Sequence, residues 1–334
     1  MPQQTMDEAQ AVVVSPQVSS AAALPPAPPG SDRRWRKPSP VVLCVAVLAL
    51  AGVGLLQLPS IATWFSQLQY SQEIIGLNQS AIAGGVSERE AELAAAHAYN
   101  DQLTGAAVVA PGERIPQAAD PGAGSAYAQL LATDSTGLMS RIKIPKIDVD
   151  LPIYHGTSDR VLEQGVGHLE GTALPVGGDT THTVLTGHRG LAQAEMFNNL
   201  DRLVVGDTFT LETWGQVLTY RITDTRVVKP DETQSLYPVQ GKDLATLVTC
   251  TPLGINSHRI LVTGERITPT PIADIENAGQ APTVPGFPWW TLWSAAALIV
   301  IGGYVVASCR VRGGRSGAGT VSGGVPPAAG PRHA

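Results

Sequence analysis

Residues 138–154, LMSRIKIPKIDVDLPIY, decide the reading of this chain. Apolar and polar residues alternate through the stretch, the period-two signature of half-buried strands. Pro145 and Pro152 are expected to limit those strands to edges or ends, because proline brings no N–H to a ladder. Outward from this stretch, short β runs are expected at 183–186, 208–214, 217–228, 246–250 and 259–267, with Gly215 and Gln216 as a hairpin turn. A short helix is expected over 195–203, EMFNNLDRL. Many short strands with few helices predict a mainly β domain, a barrel or a sandwich.

The flanks read differently. Residues 41–58 (VVLCVAVLALAGVGLLQL) have Gln57 as their one strongly polar member and are just long enough to cross a hydrocarbon core. A cleaved signal peptide is the competing reading, but some forty residues precede the run and no A-x-A site follows it. A second apolar run, 289–309, opens with Trp289, Trp290 and Trp293, as an interfacial belt would. Arg33, Arg34, Arg36 and Lys37 precede the first run, and Arg310, Arg312 and Arg315 follow the second, which places both termini in the cytoplasm. Charge agrees: 59–286 carry 14 basic against 25 acidic residues, a net of −11, whereas the two tails carry 8 against 3, a net of +5. The whole chain has 22 Lys+Arg and 28 Asp+Glu, and that mild net of −6 argues against a nucleic-acid partner. Residues 61–104 read as two helices above the membrane, 105–136 as an extended loop rich in Ala, Pro and Gly, and 273–285 as a linker.

Of three cysteines, Cys44 and Cys309 lie in the apolar runs, so Cys250 stands alone in the outer domain and has no internal disulfide partner there. A lone thiol outside the cell is either buried as a small hydrophobe or used. Cys250 ends the run TLVTC, where a strand gives way to a loop, and Arg259 opens another strand nine residues on. His188 ends a strand in the glycine-bracketed turn TGHRG. A free cysteine of pKa about 8.5 is only a few per cent thiolate at neutral pH, so a cationic neighbour helps it. A histidine can protonate a leaving amine, and a guanidinium can hold substrate or a developing oxyanion. Spacing alone leaves the structural and the catalytic readings of this trio open. His182 and His188 are six apart, which is no standard zinc spacing, and no second cysteine is at hand. His155, His168 and His258 read as hydrogen-bonded structural groups, and Asp148 and Asp150 as a solvated strand face.

Five ordered motifs, IKIPKIDVDLPIYHGT (142–157), VLEQGVGHLEGTALPVGG (161–178), TGHRG (186–190), TLVTCTP (246–252) and NSHRILVTGERI (256–267), resemble the class C sortases, the pilus-assembling transpeptidases of Gram-positive bacteria. The resemblance runs over residues 138–268 and implies an eight-stranded β-barrel with short helices. It implies Cys250 as nucleophile, His188 as general acid/base and Arg259 as substrate and oxyanion contact, with no cofactor. Family members cut an LPXTG-like signal between Thr and Gly, hold the acyl chain as a thioester and pass it to an amine, in class C usually a pilin lysine. They also carry a lid with an Asp-Pro-aromatic motif whose Asp faces the Arg and whose ring covers the Cys. Here Asp120 and Pro121 are followed by Gly122, and the nearest ring is Tyr127; the resemblance implies Asp120 as the partner of Arg259 and a lid that is either looser or closed by Tyr127, with a plain turn at 120–122 as the alternative reading.

The expected organisation is a disordered cytoplasmic tail (1–40), a transmembrane helix (41–58), an extracellular helical stalk with the lid loop (59–137), the catalytic barrel (138–268), a linker (269–288), a second transmembrane helix (289–309) and a cytoplasmic tail (310–334). The expected partners are pilin subunits bearing LPXTG-like signals and acceptor lysines, together with membrane lipid; the same chemistry directed at a peptidoglycan precursor is the alternative. A wall-anchored surface protein is a third reading, since an apolar span with a basic tail is half of a sorting signal. Its other half is missing: 265–290 hold no LPXTG-like string, and Leu174-Pro175-Val176-Gly177 fails the pattern.

Overall fold

Eight strands close on themselves. The computed structural model describes residues 37–103, 126–133, 135–191, 194–283 and 285–310. Strands β1 (Leu138–Ile144), β2 (Val149–His155), β3 (Val166–His168), β4 (Thr181–Thr186), β5 (Thr208–Thr213), β6 (Gln216–Val228), β7 (Asp243–Thr251) and β8 (His258–Arg266) form a closed barrel in the order β1-β2-β3-β4-β7-β8-β6-β5. The β2–β3 and β4–β7 pairs are parallel and the others antiparallel. Of the two architectures open at the outset, closure selects the barrel, which leaves no unpaired edge.

Side chains alternate between two apolar clusters, as a period of two requires. Leu185, Ala245, Leu247, Ile260 and Val262 belong to the main core, with Ile142, Ile153, Phe209, Leu211 and Tyr220 from the other strands. Their immediate neighbours Val184, Val248 and Leu261 point to the other face, where Leu169, Val228 and Leu236 cover them.

Several local expectations are corrected. The β5–β6 hairpin turns at Trp214 and Gly215, one residue earlier than expected, because Thr213 pairs with Gln216. Both turn residues have positive φ (47° and 80°), the twist a two-residue hairpin favours. Trp214 tolerates that conformation because its buried indole N–H donates to the Leu131 carbonyl at 2.8 Å. Residues 195–203 form turns and a 3-10 turn at Leu200–Arg202 rather than an α-helix. Asp148 and Asp150 do not share a strand face. Asp148 sits in the turn before β2 with φ 53°, and Asp150 bonds the buried Arg141 through both carboxylate oxygens, each at 2.6 Å.

Helix α1 (Pro40–Ala83) carries the first apolar run and continues, through Pro59, for 44 residues, so at 1.5 Å per residue it is about 66 Å long. Helix α2 (Gly85–Gln102) follows, and the short helices α3 (Ala126–Gln129), α4 (Asp159–Gln164) and α5 (Ile272–Glu276) decorate the barrel. The last helix, α6 (Trp289–Ser308), and α1 are both long and apolar enough to cross a membrane. Gln57 of α1, the polar interruption in its run, accepts a hydrogen bond from the Ser294 hydroxyl of α6 at 2.7 Å.

The segment expected as a stalk packs on the barrel. Ile74 and Leu77 are buried, and the Tyr154 hydroxyl bonds Glu73. On α2, the buried Asn100 amide accepts from the Leu174 N–H at 2.7 Å and donates to the Leu174 carbonyl at 3.2 Å, imitating a strand partner. The Leu131 N–H donates to Glu92 at 3.1 Å.

Candidate active site

Strand register brings Cys250 and Arg259 together. They are direct cross-strand partners in the β7–β8 hairpin, and Thr251 faces His258 one step further out. A cross-strand pair has its Cβ atoms only about 5 Å apart. Alternation puts both side chains on the face of Val248 and Leu261, the outer face of the barrel.

His188 arrives from the other neighbour of β7. Thr186 pairs with Val248 in the parallel β4–β7 ladder, and the Gly187 N–H donates to the Val248 carbonyl at 3.1 Å. The Thr249 hydroxyl donates to the Gly187 carbonyl at 2.7 Å and holds the strand end in place. Two residues on from Thr186, His188 continues the parity of Val184 alongside Cys250. Gly187 is required here: a Cβ would stand 2.7 Å from the Phe197 ring.

All three side chains are half-buried, so each is partly desolvated and still reachable from solution. Partial burial lowers the His188 pKa below its ordinary 6.5, and the carboxylates of Asp159 and Glu163 on α4 act against that shift. The sequence motifs around His188, Cys250 and Arg259 do not include Asp159 or Glu163. Their four-residue spacing on one helix, opened just after β2, is the signal that could have found them. The Arg259 Nη1 donates to the Asn256 and His258 carbonyls at 2.9 and 3.0 Å, which fixes the plane of the guanidinium.

Asp120 and Pro121 lie outside the described residues. Tyr127 is buried in α3. Its hydroxyl bonds His168 Nδ1 at 2.8 Å and accepts from the Gly156 N–H at 3.1 Å, and its ring sits edge-on to His155 at 4.9 Å. Its ring is therefore held in the β2–β3 wall by these contacts. Of the other histidines, His155 bonds the Gly137 and Leu130 carbonyls, and His182 the Tyr237 carbonyl and the Thr246 hydroxyl. These are structural connections, as is the contact of His258 with Ser257. A cavity of about 310 Å³ beside Arg141, Glu212, Asp274 and Gln280 lies on the β1–β2–β5 side, away from the trio.

A sortase-domain family model matches residues 142–267. Among solved structures, sortase C-1 from Actinomyces oris is 50% identical, with 55% of this chain and 99% of that chain covered and a TM-score of 0.50. Sortase C from Streptococcus pneumoniae is 38% identical, with 60% and 100% covered and a TM-score of 0.53. Sortase D of Bacillus subtilis (strain 168) is 34% identical over 137 residues, a match spanning 40% of this chain and 66% of that relative. The chain spans about half to two thirds of the length of the curated relatives it matches. A closed eight-stranded barrel, matched over the full length of solved sortase C chains, places this chain in the sortase family of cysteine transpeptidases, with class C members as its structural counterparts.

Proposed function

We propose that this chain is a membrane-anchored transpeptidase that polymerises pilins. Cys250 Sγ attacks the Thr carbonyl carbon of an LPXTG-like signal, His188 hands a proton to the departing Gly amine as the C–N bond breaks, and the acyl chain remains as a thioester. Arg259 holds the substrate and the oxygen on which negative charge develops. An acceptor lysine amine then loses its proton to His188 and attacks the thioester, which regenerates the thiol. In this reading the basic tails lie in the cytoplasm, α1 and the last helix cross the membrane, and the barrel works outside.

The observation that carries the reading is the register, which sets Cys250 opposite Arg259 and beside the end of β4 that bears His188. Support for pilins as substrates comes from the structural relatives, since the sortase C structure of Streptococcus pneumoniae is described as bearing on pilin substrate specificity. The test offers the enzyme an LPXTG peptide together with two competing amines, a pilin domain and a peptidoglycan stem peptide. Transfer onto a pilin lysine is expected. Transfer onto the stem peptide would instead make this an enzyme that anchors proteins to the wall.

A further inference from the structure

Arg189, next to His188, is nearly buried, with 10% of its side chain exposed, and its guanidinium binds three separate segments. Nη1 donates to the Thr251 hydroxyl at 3.1 Å, Nε to the Asn198 carbonyl at 3.0 Å, and Nη2 pairs with Asp201 at 2.9 Å. Thr251 follows Cys250 as Arg189 follows His188. One side-chain bond therefore joins the residue after the proposed general acid to the residue after the proposed nucleophile. The other two contacts brace that bond against the loop which doubles back at 195–203. The same loop holds the backbone of the turn: the Phe197 N–H donates to the His188 carbonyl at 3.1 Å, and the Asn198 side chain accepts from the Gly190 N–H at 2.5 Å.

We propose that Arg189 is a positioning residue for acyl transfer: by binding Thr251 while braced on Asn198 and Asp201, it sets the separation of His188 and Cys250. The β4 ladder ends at Thr186, so beyond the Gly187 bond no strand pairing holds His188 to β7, and the guanidinium fork takes over that task. A fork is suited to it. Its planar donors fix direction as well as distance, which the single ammonium of lysine does not. The inference rests on the roles proposed for His188 and Cys250.

The test uses the full chain in detergent with Cys44→Ala and Cys309→Ala, so that Cys250 is the single thiol. Thioacylation by an LPXTG peptide is compared in the parent, Arg189→Gln, Arg189→Lys and Thr251→Val. Because misplacement by about 1 Å can cost 100-fold, kcat should fall roughly 10- to 100-fold in each variant, with KM within about twofold. The double variant Arg189→Gln/Thr251→Val should be no worse than the poorer single one. Alkylation of Cys250 by iodoacetamide across pH gives a readout without substrate, and the Arg189→Gln curve should move toward that of His188→Ala.

A folded Arg189→Gln enzyme with parental kcat and a parental alkylation curve would overturn the proposal. So would full recovery in Arg189→Lys, which would make the effect one of charge. If the parent and His188→Ala curves coincide, the pairing of His188 with Cys250 itself fails, and the positioning role fails with it.

Discussion

On the β1–β2–β5 side of the barrel, Arg141 is 1% exposed and surrounded by matched acceptors: both Asp150 oxygens at 2.6 Å, the Gln280 carbonyl at 2.7 Å and Glu212 at 3.4 Å. Lys143 adds a second cation to Glu212 at 2.5 Å. On the β4–β7–β8 side, Cys250, His188 and Arg259 are left half-exposed. The difference separates two uses of polar groups in one fold. A charge that only holds the structure together is best surrounded completely, because a buried charge missing its partner is costly. The groups proposed to meet a substrate keep a face open, and in that proposal their geometry comes from neighbours such as Gly187, Thr249 and Arg189.

Breaking the open side should have the larger effect on rate. His188→Ala and Arg259→Ala should each lower the rate of LPXTG-peptide cleavage by about 100- to 10,000-fold, measured by product release, while melting temperature stays close to that of the parent. Breaking the enclosed side should do the reverse. Arg141→Met takes the guanidinium away from Asp150, while Glu212 keeps Lys143, and should cost about 3–5 kcal/mol in urea unfolding, with kcat per folded enzyme within about twofold. If Arg141→Met kills the chemistry but not the fold, the division of labour is wrong.

A third test concerns the buried histidines. Burial lowers His168 to about 4 and pushes His155 and His182 in the same direction. Folded pKa values below the free value mean that the unfolded chain takes up protons first. Their stabilising effect is therefore present above pH 6.5 and is lost as pH falls toward 4. Melting temperature should drop by several degrees between pH 7 and pH 5. His168→Gln, which can still accept from Tyr127 and donate to the Ala173 carbonyl, should flatten that slope.

The smallest effect lies at the rim of the open side. Asp159 and Glu163 favour protonated His188, so Asp159→Asn/Glu163→Gln should lower the His188 pKa further and move the corresponding limb of the pH–rate profile to lower pH. Both carboxylates are exposed, so the change should stay under about threefold and vanish in 1 M salt.

Much of this is legible in the residues. Alternation predicts the strands, and the nine-residue interval from Cys250 to Arg259 suits a hairpin whose register makes them partners. The approach of His188 to Cys250 is not legible by spacing, because it depends on a parallel β4–β7 pairing between segments far apart in the chain. β3 escapes the pattern: Val166–His168 is three residues long with glycine at its centre, too short for a period to show. Trp214 escapes as a turn residue because its positive φ is held by a bond to Leu131, a contact no local propensity encodes. Tyr127 looks available in sequence, but its hydroxyl finds partners in the barrel wall.

The proposed chemistry requires Cys250 to carry the acyl chain. Its most direct test is the intact mass of the full chain after incubation with an LPXTG peptide, followed by mapping of the modified peptide. The expected product is a thioacyl adduct on Cys250 that hydroxylamine removes and that Cys250→Ala never forms. An adduct elsewhere, or turnover that survives Cys250→Ala, would contradict it.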